Sequence, residues 1–454
     1  MRHAPGIFAF ASAPYGYAVS LLRVSGDGAI AVCKAATGLS DKEIRPRHAY
    51  YADFSIDSEV VDDVLVTFFK GPHSYTGEDM VEIGFHGSPA ISSEVTRYLL
   101  ATGVRMAEPG EFSRRAFLNG KLDLAQAEGV AALVDAQTLT QARAARELST
   151  GRFSEYVNVL REELVVCLAR LEAAMDFPDE DDTKYLQLDA TRPVLVSVQK
   201  KIQDLIAQYQ TGKQSLLGIK VAILGLPNAG KSSLTNALLG EDRALVSSIP
   251  GTTRDYIEVP LKIKGEMFWL LDTAGIRETS DAIESAGVEL SWRCAEKADL
   301  ILFLTDVDSD QTESQKLLAK LRREFGDRKQ IWSIGSKCDV NLRNSDHQGF
   351  HSFVSVNHAE GLDGLRKGLE EYAASVFDRT GSASKIVFTA RHLHHLQIVE
   401  QALSRLLASG DGLPAEEILS FEIRDAASEL ASIVGFIDNE DILDKIFSSF
   451  CLGK

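Results

Sequence analysis

The chain lacks any Cys-x-x-Cys pair, and its five cysteines, Cys33, Cys167, Cys294, Cys338 and Cys451, are scattered over 454 residues. That spacing excludes a disulfide framework and a zinc knuckle, and it predicts mostly reduced cysteines buried as small core residues. No uninterrupted apolar run reaches the length of a membrane span. The opening "MRHAPGIFAFASAPYGYAVS" has no charged head followed by a long apolar stretch and a cleavage site, so a cytoplasmic location is expected. Positive charge is also scarce, with 48 Lys and Arg against 65 Asp and Glu for a formal net charge of −17. Such a balance excludes a broad electrostatic face for nucleic acid, and any RNA partner would need a local basic patch or a second protein carrying most of the contact. Internal repeats and low-complexity tracts are absent.

What is present is a composition 45% hydrophobic and 25% charged, enough for about two to four globular domains. Residues 1–117 alternate β-rich runs with turns, "AVSLLRVSG", "HAYYADFS", "VVDDVLVTFFK" and "MVEIGFHG", followed by the helical "AISSEVTRYLLATG". They predict a small α+β domain. Over 118–214 the strand signals stop and Leu160, Leu164, Leu168 and Leu171 recur on one helix face, with an acidic break at "DFPDEDDTKY". From 215 to 378 strands and helices alternate, and 379–454 turns helical again after the short polar "DRTGSASK". The simplest architecture is an α+β N-terminal domain and a split α-helical domain into which an α/β domain is inserted.

The inserted segment carries phosphate chemistry. "GLPNAGKSS", Gly225 to Ser233, follows the buried-strand pattern "IKVAILG" and opens a helix, the context a phosphate loop requires. Glycines let backbone N–H groups of Asn228, Ala229, Gly230 and Ser233 turn towards phosphates, Lys231 supplies a charge to the β/γ oxygens, and Ser232 suits Mg2+. "IPGTTRD" offers Thr252 and Thr253 as a second Mg2+ hydroxyl, with Thr253 favoured. Asp272 ends "FWLLDTAG" and is expected to meet Mg2+ through water, while the Gly275 N–H senses the γ-phosphate.

Base choice is signalled by "SKCD", Ser336 to Asp339, in which Lys337 precedes a carboxylate able to accept from two guanine N–H groups. This pattern favours GTP over ATP and predicts a P-loop GTPase domain of the Ras-like type. The motif usually begins with Asn. Ser336 is shorter and is expected to forfeit a hydrogen bond worth about 0.5–1.5 kcal/mol. Ser355, in "SVN", occupies the position of a backbone contact to the guanine oxygen.

The glutamine that orients water in Ras-like enzymes is missing, because Ile276 follows Gly275. Arg277, Glu278, Asp281, Glu284 and Glu289 are the nearby polar candidates, and the residues alone leave all five open. His392 and His395, in "HLHH", share a helix face but lack a second ligand pair, so a solvated face is expected there and not a metal site.

"LRVSG" (22–26), "SYTGEDMVEI" (74–83), "PGEFSRRAFLNGKLDLAQAE" (109–128), the phosphate loop, "PGTTRD", "DTAGIRE" and the terminal "FCLGK" together resemble the MnmE/TrmE family of tRNA-modification GTPases over essentially the whole chain. The N-terminal block and the terminal Cys-x-Gly-Lys are absent from ribosome-assembly GTPases of the Era or Der kind, the rival class. The resemblance implies an N-terminal domain that binds a tetrahydrofolate derivative, in the 5-formyl or methylene form, and that dimerises. It implies a homodimer that joins an FAD-dependent MnmG/GidA-type partner in a heterotetramer and modifies C5 of the tRNA wobble uridine. It maps water positioning to Glu284, a K+ ligand to Asn228, and folate contacts to Arg23, Glu82 and Lys121. For Arg23 a structural ion pair is the alternative to pairing with the folate glutamate tail. Cys451 is a candidate nucleophile, a structural contact or an unused surface group. The departures are Ser336, "HGS" (86–88) for His-Gly-Gly, and "ASAPYGYAVS" for a Gly-rich, Arg-containing opening.

Overall fold

The computed structural model describes residues 5–12, 16–40, 42–176, 188–240, 257–272, 284–338, 349–356, 358, 360–378, 386–408, 416–435, 440–451 and 453. The chain divides into two compact units, residues 1–131, 146–206 and 390–454 in one, and 132–145 with 207–389 in the other.

In the first unit, β1 (Ile7–Phe10), β2 (Val19–Ser25), β3 (Ala49–Ile56), β4 (Glu59–Phe69), β5 (Met80–His86) and β6 (Arg105–Met106) form one sheet in the order β3-β4-β5-β2-β1-β6. All neighbours are antiparallel except β1 and β6. Alternation along β4 explains the face it buries: Val64, Val66 and Phe68 enter the core while Asp63 and Leu65 point out. Helices α1 (Ala29–Thr37) and α2 (Pro89–Ala101) supply Ala29, Cys33, Val95 and Leu99 to that core. Neither β1 nor α1 was signalled by the sequence pattern. "IFAF" is too short to show a period.

The rest of this unit is helical: α3 (Glu111–Leu118), most of α4 (Leu124–Asp135), the end of α5 (Leu139–Ser149), α6 (Arg152–Asp176), the first part of α7 (Leu188–Leu217), α12 (Ala390–Leu407), α13 (Glu416–Val434) and α14 (Glu440–Phe447). The expected apolar face of α6 is present, with Leu160, Leu164 and Leu171 buried, though Cys167 is more deeply buried than Leu168. The acidic break at 177–185 and the boundary tract 379–385 lie outside the described residues.

In the second unit, β7 (Ile219–Gly225), β8 (Ile257–Ile263), β9 (Glu266–Asp272), β10 (Leu300–Asp306), β11 (Gln330–Ser336) and β12 (Ser352–Val354) form a sheet in the order β12-β11-β10-β7-β9-β8. Only β8 runs antiparallel to its neighbour. The helices α8 (Lys231–Leu239), α9 (Glu284–Lys297), α10 (Thr312–Phe325) and α11 (Leu362–Asp378) alternate with these strands. β7 is an uninterrupted apolar run because both its faces are covered: Val221 and Ile223 join one core layer, Ala222 and Leu224 the other. With the phosphate loop after β7, this is the P-loop GTPase fold.

Candidate functional site

The phosphate loop, residues 226–230, sits at the carboxyl end of β7, where open parallel sheets bind ligands. Gly225 could not be another residue, since a Cβ there would lie 2.4 Å from the Leu304 carbonyl oxygen. Asn228 is left-handed at φ 63°, and Gly230, at φ 90°, caps α8 with open space where a Cβ would be. Asn228, Ser232 and Ser233 are exposed, and Ala229 is buried. The Lys231 ammonium donates to the carbonyls of Gly225 (3.1 Å) and Leu226 (2.9 Å), folding back over the loop it is expected to serve. A helix N-terminus, inward-turned backbone and one lysine make a cradle for a polyphosphate.

The base-reading segment lies at the ends of the neighbouring strands. Asp306 ends β10 in register with Ser336 at the end of β11. Lys337, left-handed at φ 60°, ion-pairs with Asp306 at 2.7 Å. The Ser336 hydroxyl lies 2.7 Å from the Ala229 carbonyl oxygen and 3.1 Å from that of Thr305. Its expected loss of bonding is therefore confined to the ligand side, because the inward bond to the phosphate loop is made. Ser355 follows β12, is buried, and exchanges backbone hydrogen bonds with Glu360. The structure thus brings Asn228, Ala229, Gly230, Lys231, Ser232, Ser233, Lys337 and Ser355 to the carboxyl ends of strands β7, β11 and β12 of one sheet. Thr253, Gly275 and Asp339 lie outside the described residues. Asp272 ends β9 beside Ile223, and Glu284 opens α9, but only their backbones are described.

In the first unit, Arg23 on β2 faces Glu82 on β5 across a registered pair, and its Nε donates to Glu82 Oε1 at 2.8 Å. The guanidinium stacks 5.7 Å from the Tyr75 ring centroid, and Nη1 reaches the Gly453 carbonyl at 3.4 Å. Lys121 is exposed, and its aliphatic stem lies against Gly77, whose missing side chain (φ 78°) leaves room for it. Arg23, Glu82 and Lys121 therefore gather around the loop 74–79, which the motif "SYTGED" forms. The loop is braced from beneath. Ser25 donates to Glu78 (2.9 Å), Arg115 pairs with Glu78 (3.1 Å) and Glu111 (2.9 Å), and Arg105 also binds Glu111.

The chain end reaches the same place. Gly110, left-handed at φ 70°, donates its N–H to the Cys451 carbonyl at 3.3 Å. Phe447 and Phe450 pack with Leu124 and Ala127, and Gly453 is buried against the backbone of Phe10. The Cys451 side chain is exposed, whereas the other four cysteines are buried, as expected, and burial drives the Cys33 thiol up to about 12.

The solvated face expected for "HLHH" is corrected by the structure. His392 is fully buried under Phe153, with Nε2 3.0 Å from Glu128 Oε2, while Arg391 Nε donates to Glu128 Oε1 at 2.6 Å. Arg391 also donates to the carbonyls of Ser432 (3.0 Å) and Ile433 (2.9 Å). Burial works to raise the Glu128 carboxyl, but the bond and charge of His392 and the charge of Arg391 overcome it and hold Glu128 down to about 2. Helical spacing cannot reveal a partner lying on a distant helix. No group of three potential metal ligands occurs among the described residues.

A family model for the GTP-binding protein TrmE N-terminus matches residues 6–121, and one for the MnmE helical domain matches 124–451. The tRNA modification GTPase MnmE of Aquifex aeolicus is 39% identical over 451 residues, covering 97% of this chain and 98% of that one. The chain belongs to the MnmE family. The tRNA modification GTPase MnmE of Moorella thermoacetica is 40% identical, with 99% of each chain covered. Among solved structures, the G domain of the T. maritima FeoB iron transporter is 28% identical at a TM-score of 0.27, covering 34% of this chain and 98% of its own. The fold class follows from the strand order and the phosphate loop, not from that last likeness.

Proposed function

We propose that this protein hydrolyses GTP and, with an FAD-dependent partner of the MnmG/GidA type, installs a carboxymethylaminomethyl group at C5 of the wobble uridine of certain tRNAs. The observation that carries the reading is a phosphate cradle in the same chain as an Arg23–Glu82–Tyr75 cluster on which the chain's own tail is seated. Full-length similarity to proteins named tRNA modification GTPase supports it.

The residues present fit the groups this activity needs. Ser232, exposed at the first turn of α8, and Thr253 would hold Mg2+, with Asp272 acting through water; the exposed side chain of Asn228 suits K+. These cations supply positive charge where phosphate charge develops. Lys231, which donates to two loop carbonyls, would exchange them for phosphate oxygens, while Glu284 positions water and Asp339 reads the guanine N–H groups. A tetrahydrofolate derivative suits the loop 74–79: Tyr75 offers a ring face, Arg23 and Lys121 offer cations for its carboxylates, and Glu82 accepts from a ring N–H. The protein acts as a homodimer through its N-terminal domain, joined by the partner in a heterotetramer, in the cytoplasm. Among the described residues no helix is long and apolar enough to cross a membrane.

Mass spectrometry of tRNA from cells lacking this protein tests the reading. Loss of the C5 modification, restored by the intact chain and not by a Lys231→Ala variant, is expected. Unchanged wobble uridines would overturn it.

A further inference from the structure

One hydroxyl joins the phosphate loop to the base-reading loop. Ser336 is 4% exposed, and its Oγ lies between the carbonyl oxygens of Ala229 (2.7 Å) and Thr305 (3.1 Å). Carbonyls only accept, and a serine hydroxyl owns one proton, so that proton is committed inward. The anchored Ala229 carbonyl has a second effect. Across a planar trans peptide, fixing the carbonyl on one side aims the Gly230 N–H to the other, and the space around Gly230 is open.

Guanine presents N7 and O6 as acceptors on one edge. Reading N7 requires a donor. An Asn at this position carries two amide protons, one for the inward carbonyl and one for the base, whereas Ser336 has spent its only proton.

We propose that Ser336 is a positioning residue that fastens the phosphate loop to β11 and reads no part of the base, so that this protein selects guanine without using N7. The inference rests on the proposed GTP site and adds which edge of the base that site ignores.

The test is displacement of a ribose-labelled fluorescent GDP by GDP and by 7-deaza-GDP, in which a C–H replaces N7. Wild-type protein is expected to bind both equally, within about twofold. Ser336→Asn is expected to favour GDP over the deaza analogue by about two- to tenfold, the worth of one hydrogen bond. Ser336→Ala should weaken both ligands by the same factor, with Ser336→Thr restoring affinity, a pattern that general destabilisation would not give. Weaker binding of 7-deaza-GDP by the wild type overturns the inference while leaving the GTPase reading intact. Undiminished affinity in Ser336→Ala, or an indifferent but folded Ser336→Asn, overturns the role given to Ser336. Should Ser336→Asn not fold, the wild-type, Ala and Thr measurements decide. Failure to bind any guanine nucleotide would remove the functional reading, and the inference with it.

Discussion

Replacing Glu128 by Gln should cost this protein about 3 kcal/mol at neutral pH, and the cost should disappear in acid. Glu128 on α4 is 13% exposed and bridges Arg391 and His392 at the start of α12. Its carboxyl falls from an ordinary 4.5 to about 2. At about 1.36 kcal/mol per pH unit, that drop is worth about 3 kcal/mol. Breaking a buried ion pair from one side typically costs about 3–5 kcal/mol, the same order. Because the folded-state value is the lower one, the stabilisation is complete above about pH 4.5 and is lost as pH falls through about 2, with roughly half remaining near pH 3.

Urea unfolding followed by far-UV circular dichroism, at intervals from pH 7 to pH 3, measures this for wild type and Glu128→Gln. The three tryptophans, Trp269, Trp292 and Trp332, all lie in the other compact unit, so their fluorescence is an internal control expected to change little. Hydrogen exchange in peptides covering α4 and α12 should rise in the variant and locate the effect. A loss below about 1 kcal/mol at pH 7, or one that stays constant down to pH 3, would refute the argument that Glu128 is held ionised by its two partners.

Three further outcomes follow from the sites. Asp339→Asn should shift nucleotide preference from guanosine to xanthosine, measured by hydrolysis of GTP and XTP; retained GTP preference would place base selection elsewhere. Glu284→Ala should lower kcat about 10²–10⁴-fold with GTP affinity kept, and wild-type turnover should be faster in K+ than in Na+; an undiminished rate in the variant, or equal rates in the two salts, refutes the respective role. Gly110→Ala should free the chain end, since a Cβ there would lie 2.3 Å from the Phe447 carbonyl oxygen at a φ of 70°; faster carboxypeptidase trimming of the tail would show it, and an unchanged rate would count against that docking.

Much of the fold was legible because period and burial agree. β4 and β5 alternate, β7 is a short apolar run with a phosphate loop behind it, and α6 keeps its leucines on one side. The misses have physical reasons. His392 and His395 occupy one stripe of α12, and spacing says nothing of what covers that stripe; Glu128 and Phe153 come from helices far earlier in the chain. His395 pairs separately with Glu429 at 2.7 Å. At Ser336 the expected loss concerns the ligand side alone, and the inward bond is what the motif does not show. The buried carbonyl of Ala229 was invisible to a motif comparison, since any residue supplies a carbonyl.

The chain end shows how backbone and side chain divide their work. "FCLGK" was conspicuous for its cysteine, yet the docking contacts described for this tail belong to main-chain groups and to phenylalanines. The Cys451 carbonyl accepts from Gly110, the Gly453 carbonyl meets Arg23, and Phe450 packs on Phe447. Glycine at 453 is required twice over, by a φ of 90° and by a Phe10 carbonyl 2.7 Å from where a Cβ would stand. The thiol itself is exposed. A side chain that contributed only packing would be buried with the phenylalanines. The tail is therefore held by its backbone and its phenylalanines, and the Cys451 side chain takes no part in that packing: it is exposed, while the carbonyl of Gly453 further along meets Arg23.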